Sequence, residues 1–198
     1  MLKIEKISIK YIKQFYTLFE VSGEFYAGDK VLLVGDDNSG NRALLRVIAK
    51  IDKPNSGKID YDEFSKKDVG YIPISPVVFK RKSVRENILY SLKIRKVPKA
   101  VAQSKVETIL NEYGYSSIAD KKLCDCSDKE KYAVTIMRLL VREPRLVLIE
   151  LPDDMDEDIL LLINQLIRKS EICLMSSKTE KESIVHTRVL RMYNGSMV

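Results

Sequence analysis

The chain has no tryptophan, one histidine (His186) and three cysteines, Cys124, Cys126 and Cys173. An odd number of thiols argues against a closed disulfide framework. A Cys-x-Cys pair with one remote partner is not a zinc spacing, so cytosolic free thiols are expected. No apolar run approaches the ~20 residues of a membrane span. The opening MLKIEKISIK alternates like a strand and lacks the apolar block of a signal peptide. Internal repeats and low-complexity tracts are missing as well. What remains is an ordinary globular composition, 198 residues with 45% apolar and 31% charged side chains. That is enough for one core, or a core with a small subdomain.

The net charge of +6 is unevenly spread. Residues 80–105 hold nine bases and one acid, Glu86, whereas 148–158 hold six acids and no base. For most of those lysines a solvated helix face is the simplest account; a surface facing anionic lipid or a phosphate-rich partner is the sharper one. No recognition-helix or aromatic-interleaved pattern accompanies the charge, so no nucleic-acid partner is expected.

The most informative stretch is residues 30–50, KVLLVGDDNSGNRALLRVIAK. The apolar run 31–34 suits a strand buried on both faces. After a loop from Gly35 to Gly40, Ala43, Leu44, Leu45, Val47 and Ile48 recur at helical spacing. Strand, glycine-framed loop and helix form the outline of a phosphate-cradling P-loop, G-x-x-x-x-G-K-[ST]. Here the lysine position holds Asn41 and the hydroxyl position holds Arg42. The glycines are equally explained by the strand-to-helix turn alone.

Alternation predicts strands over 2–11 and 17–25, with Phe19, Val21 and Phe25 on one face of the second. Short strands follow at 58–61 and 69–74. Ser83 with Glu86 forms a capping box for a helix through 90–92, and Pro98 opens another at Lys99 that ends near Gly114. A third helix is expected from Asp128 to Val141. Strands at 145–149 and 172–175 bracket a helix bearing Ile159, Leu162, Ile163 and Leu166. Asn194-Gly195 closes a terminal hairpin. Repeated strand–helix alternation predicts an α/β fold with a mainly parallel sheet.

In that order the motifs resemble the nucleotide-binding domain of ABC transporters. The matching segments are LLVGDDNSGNRALLRVIAKIDKPNSGKI, VGYIPISPVVFKRKSVRENI, CSDKEKYAVTIMRLLVREPRLVLIELP and RVLRMYNGSMV. The resemblance implies a RecA-like P-loop NTPase core with an antiparallel β subdomain (1–75 and 141–198) and an inserted helical subdomain (about 76–140). It implies a nucleotide site at Tyr11, Gly35, Asn38, Ser39, Gly40, Asn41, Arg42 and Ala43, and a signature loop at Ser127, Asp128 and Lys129. Glu150 stands at the magnesium-binding carboxylate position. A surface at Pro76, Val77, Phe79, Val84, Arg85 and Asn87 would dock on a membrane-spanning transporter subunit, at the cytoplasmic face of the membrane. A second ABC-type ATPase subunit, identical or different, would complete a dimer. For single residues the plainer accounts stand beside these: strand-end packing for Tyr11, a satisfied carboxylate for Glu150, a helix N-cap for Ser127.

The departures from that pattern concern chemistry. Leu151 replaces the carboxylate that would polarise the attacking water, Ile74 the γ-phosphate-sensing glutamine, and Ser177 the switch histidine; His186 lies off that position. A missing general base alone costs about 10²–10⁴-fold. Asp36 and Asp37 add negative charge to a polyanion loop, and two like charges ~6 Å apart repel by roughly 3 kcal/mol at an effective dielectric near 20. The expectation is a catalytically degenerate subunit that requires neither ATP nor Mg²⁺. The alternatives are an ATPase rearranged around Arg42 and Glu150, and a soluble pseudo-ATPase scaffold.

Overall fold

The computed structural model describes residues 1–12, 15–65 and 67–198. Strand β3 (Lys30–Val34) is buried along its whole length, and its neighbours β6 (Leu146–Glu150) and β7 (Ile172–Ser177) are buried too. These runs form the centre of a six-stranded sheet with β5 (Val69–Ile72), β8 (Arg188–Tyr193) and β9 (Ser196–Met197). The order is β5-β6-β7-β3-β8-β9; all pairs are parallel except the closing β8–β9 hairpin. Buried on both faces, such strands have no polar side to show water.

The pleat divides their side chains between two cores. Leu32, Val34, Val147, Ile149, Cys173 and Met175 face one cluster, while Val31, Leu33, Leu146, Leu148, Ile172 and Leu174 face the other. The first cluster is closed by α2 (Val84–Ile94), α3 (Lys99–Glu112), α4 (Asp128–Leu140) and α5 (Glu157–Lys169). The second is closed by α1 (Asn41–Ile48) and a three-stranded antiparallel sheet, β2-β1-β4, of β1 (Leu2–Ile9), β2 (Leu18–Phe25) and β4 (Ser56–Asp60). Each fully buried Leu or Ile contributes about 1.5–3 kcal/mol of transfer free energy. These two faces therefore hold the strand ends that carry the site.

Helix boundaries follow local chemistry. Ser83 and Glu86 make the reciprocal capping box of α2; Ser127 and Glu130 make another at α4. Lys30 enters the sheet from its N-terminal end, and its ammonium donates to Ser170 O, to Ser170 Oγ at 3.0 Å and to Glu171 O at 3.4 Å. A cation there meets the negative end of α5.

Three strand expectations shift. Strand β1 stops at Ile9, because the Lys10 N–H donates to Asn55 Oδ1 at 2.7 Å instead of to the ladder. Strand β5 stops at Ile72, since Pro73 has no N–H to continue. In β2 it is Leu18, not Phe19, that joins Val21 and Phe25 inside; Phe19 is exposed. An extra residue between the pairs Ile7↔Val21 and Ile9↔Leu18, with Glu20 at φ 47°, reverses the parity there. The Glu20 N–H, left off the ladder, donates to Ser8 Oγ at 2.9 Å.

Candidate functional site

The P-loop outline is built as the glycine frame requires. Gly40 sits at φ 87°, and a Cβ there would lie 2.5 Å from Thr17 O. At Gly35 a Cβ would lie 2.5 Å from the Ser39 side chain and 2.6 Å from Met192 O. The loop therefore passes tightly between the β1–β2 turn and the closing hairpin, and α1 starts where the outline puts it.

Inside this frame the polar groups are spent on one another. Asn41 is buried, and its amide Nδ2 donates to Gly35 O and Ser177 O, both at 3.1 Å, and to Leu33 O at 3.4 Å. Its Oδ1 accepts from the Arg42 N–H at 2.6 Å. The Asn41 N–H donates to Ser39 Oγ at 3.4 Å, the Asn38 N–H to Asp36 Oδ1 at 3.0 Å and the Ser39 N–H to Asp36 O at 3.1 Å. Four amides that would face a phosphate already have acceptors. Ala43 is buried one residue further on.

The mouth of the loop is charged on both sides. Asp37 pairs with Arg42 at 3.7 Å and with Lys178 at 3.0 Å, and Lys178 also reaches Asp153 at 3.3 Å. Asp37 first, then Asp153, holds the Lys178 ammonium above the usual lysine range. Lys178 was not among the residues singled out from sequence. Its only signal there was adjacency to Ser177, the switch position.

The neighbouring strand end carries Glu150 and Leu151. Glu150 is 5% exposed. One of its oxygens accepts from the Tyr71 hydroxyl and the other from the Ile74 N–H at 3.1 Å. Burial first, and then the Glu150 carboxylate, push the Tyr71 phenol well above its ordinary range. Leu151 is 2% exposed and belongs to the core. No group of three or more His, Cys, Asp or Glu side chains suited to a metal occurs among the described residues. At the position where a hydroxyl would complete a magnesium site the chain carries the Arg42 cation, and Glu150 is the buried carboxylate of this strand end.

Tyr11 keeps 55% of its surface exposed while its hydroxyl donates to Asp52, itself gripped by Arg46 at 2.8 and 3.0 Å. Burial of the phenol, followed by the Asp52 charge, moves Tyr11 up to about 12.

The signature-loop residues are tied up locally. The Ser127 hydroxyl accepts from the Glu130 N–H at 3.1 Å, Asp128 pairs with Lys131 at 3.0 Å, and Lys129 pairs with Asp158 at 2.7 Å and Asp156 at 3.1 Å. His186 sits after α5, its Nδ1 2.8 Å from Ile184 O.

Two of the expected docking residues lie inside. Val84 and Asn87 are both fully buried, so neither can touch a partner directly. Asn87 instead holds the preceding loop: its Oδ1 accepts from the Phe79 N–H at 2.9 Å, and its Nδ2 donates to Ser83 O at 2.9 Å and Phe79 O at 3.1 Å. Core packing accounts for Val84 and bonding of the preceding loop for Asn87. Arg85 bonds Glu107 and, at 3.0 Å, Asp120. Pro76 is half-buried, whereas Val77 (66%), Phe79 and Ile94 are exposed. Below them a groove of about 390 Å³ is lined by Tyr71, Pro73, Val77, Arg138 and Arg142. Burial lowers both of these arginines, and the Arg142 Nε has no partner among the described residues.

A protein-family model described as "ABC transporter" matches residues 18–153. The chain is 29% identical over 156 residues to a sulfate/thiosulfate import ATP-binding protein, CysA, of Thermosynechococcus vestitus, covering 75% of this chain and 46% of that protein. It is 35% identical over 159 residues to a molybdate/tungstate import ATP-binding protein, WtpC, of Thermococcus kodakarensis, covering 77% and 48%. The chain thus spans about half the length of the curated relatives it matches. Among solved structures, cbiO1 of Clostridium perfringens superposes with a TM-score of 0.80 at 22% identity, covering 100% of this chain and 86% of that one. A dimeric ATP-binding cassette bound to ADP and Pi superposes at 0.84 and 18% identity, covering 100% and 96%. At those identities the superpositions speak for the fold, an α/β P-loop architecture. The relatives' printed names do not favour a loss of nucleotide binding, contrary to the expectation that none is required.

Proposed function

This chain belongs to the ABC transporter family, and from that membership we propose that it is an ATP-binding-type subunit kept for contact and regulation rather than for turnover. It docks on a membrane-spanning transport protein through the exposed patch of Val77 and Phe79, alone or paired with a second ABC-type subunit. The observation that carries this reading is the pair Glu150 and Leu151. The carboxylate at the end of β6 accepts from Tyr71 and Ile74, and the next position holds Leu151, whose side chain is packed into the core and offers an attacking water no acceptor. Phosphoryl transfer depends on positioning and on stabilised charge, and neither is supplied here for water. Nucleotide, where it binds, contributes affinity and not a reaction.

The contrast with the docking side supports the same reading. Val77 is exposed on the wall of a groove that also holds Arg138 and Arg142, and the exposed Phe79 ring lies against Arg138, a surface suited to a partner segment that brings carboxylate or carbonyl oxygens. Since the relatives are import proteins by name, an importer is the expected host. No helix among the described residues is long and apolar enough to cross a membrane.

The test is purification from cells producing the neighbouring membrane protein, followed by measurement of ATP turnover with and without it. Copurification without turnover is the expected result. Turnover that persists in the complex and vanishes in Arg42→Ala and Glu150→Ala would establish the rearranged ATPase instead. Isolation free of any integral membrane protein would establish the soluble scaffold.

A further inference from the structure

The P-loop of this chain is not simply stripped of its cation; it contains two cations and an anion that occupies them. Arg42 on the first turn of α1 and Lys178 just after β7 both converge on the Asp37 carboxylate, at 3.7 and 3.0 Å. Asp36 does the same for the backbone, taking the Asn38 N–H at 3.0 Å. Ser177, the residue before Lys178, is 4% exposed, and its hydroxyl has no hydrogen-bond partner among the described residues. Its own carbonyl accepts from the Gly35 N–H at 3.0 Å and from Asn41, so it lies against the loop.

We propose that Arg42 and Lys178 form a polyphosphate-binding pair, and that Asp37 occupies it as an internal stand-in for phosphate, closing the site against diphosphates and triphosphates until it is displaced. The inference rests on the reading of this face as a nucleotide-binding site without turnover, and it adds how that site is regulated. The chemistry is plain competition between anions. The Asp37 carboxylate is held by the loop within 3.7 Å of Arg42 and 3.0 Å of Lys178 and carries one charge. A polyphosphate carries several and can take both cations at once. Displacement leaves Lys178 shared between the ligand and Asp153 and leaves Asp37 repelled by the ligand, so affinity in the native chain is low and depends on salt. Asn41, by contrast, stays where it is, since its amide bonds the loop from within.

The experiment is calorimetric titration with pyrophosphate, and with ATP in the absence of magnesium, at low salt. The native chain is compared with Asp37→Asn, Asp37→Ser, and each combined with Lys178→Ala. Asp37 is exposed at the loop tip, so both single variants are expected to keep the native urea midpoint, and the second stands in for the first if that one fails to fold. Removing a repulsive carboxylate from contact range is expected to tighten pyrophosphate binding by about ten- to a hundredfold. Adding Lys178→Ala is expected to reverse the gain. Unchanged affinity in both single variants, or a gain that survives Lys178→Ala, would overturn the proposal. ATP turnover by the native chain would overturn the reading of the site without deciding this one, which is scored on pyrophosphate alone.

Discussion

The Asn41 amide donates to Ser177 O at 3.1 Å across 136 residues of sequence, joining the start of α1 to the end of β7. The same nitrogen also reaches Gly35 O, so one neutral side chain ties together the loop, the helix and the strand that meet at the site. In a buried setting these carbonyls need a donor, and the amide supplies it without the desolvation cost of an ammonium.

Asn41→Ala is therefore expected to destabilise the chain by about 1–3 kcal/mol, the cost of leaving buried carbonyls without their donor. Urea unfolding checks it. A midpoint within error of the native value would mean that the loop has other support.

Glu150 is expected to behave as a structural acceptor. Glu150→Ala removes the partner of both Tyr71 and Ile74 and is expected to cost roughly 2–3 kcal/mol, whereas Glu150→Gln keeps an acceptor for Ile74 and a donor for the Tyr71 oxygen and costs less. Magnesium is expected to leave the native unfolding midpoint where it is, because a ligand stabilises only as far as it binds the folded state. A midpoint that climbs with magnesium concentration, and stops doing so in Glu150→Gln, would return a metal to this position.

The docking side separates into contact and scaffold. Val77→Glu is expected to leave stability within about 0.5 kcal/mol, as surface substitutions do, while abolishing copurification with the membrane partner. Asn87→Ala is expected to act the other way round, lowering stability by about 1–3 kcal/mol through the loss of its bonds to Phe79 and Ser83. Parallel urea unfolding and pull-down on the two variants distinguish them. Equal loss of partner by two equally stable proteins would place Asn87 at the interface.

Alkaline pH is expected to weaken the fold through its phenols. Tyr61 is pushed up to about 12 by burial, with its hydroxyl donating to Ile48 O at 2.6 Å. Burial also moves Tyr113 to about 12, as it does Tyr11. A folded-state value above the unfolded one means that the native chain holds the proton more tightly. The contribution is therefore complete below about pH 10 and is lost as pH rises through about 12. Unfolding midpoints across that window check the slope, and Tyr61→Phe is expected to flatten it.

Local chemistry made much of the fold legible. The capping pairs Ser83–Glu86 and Ser127–Glu130, Pro98 before α3 and Asn194-Gly195 between β8 and β9 each act within a few residues, and each stands where the sequence puts it. The apolar runs of β3, β6 and β7 are long enough in buried residues to announce a sheet covered on both faces. Parity within β2 was not legible. Glu20 at φ 47° is stabilised by Ser8 on another strand, and no period-2 pattern encodes that partner.

The site divides along the same line. By itself the sequence determined which groups are present: Asn41 and Arg42 where a lysine and a hydroxyl would serve phosphate, Leu151 where a base would serve water, and two aspartates inside the loop. Those are facts of side-chain chemistry, independent of conformation. Only the tertiary structure decided where their bonds go: that Tyr71 and Ile74 claim Glu150, that Val84 and Asn87 face inward, and that Lys178 comes back to Asp37. Hydrogen bonds and ion pairs reach only a few ångströms, and which groups come within that range is set by packing among strands that the chain visits far apart.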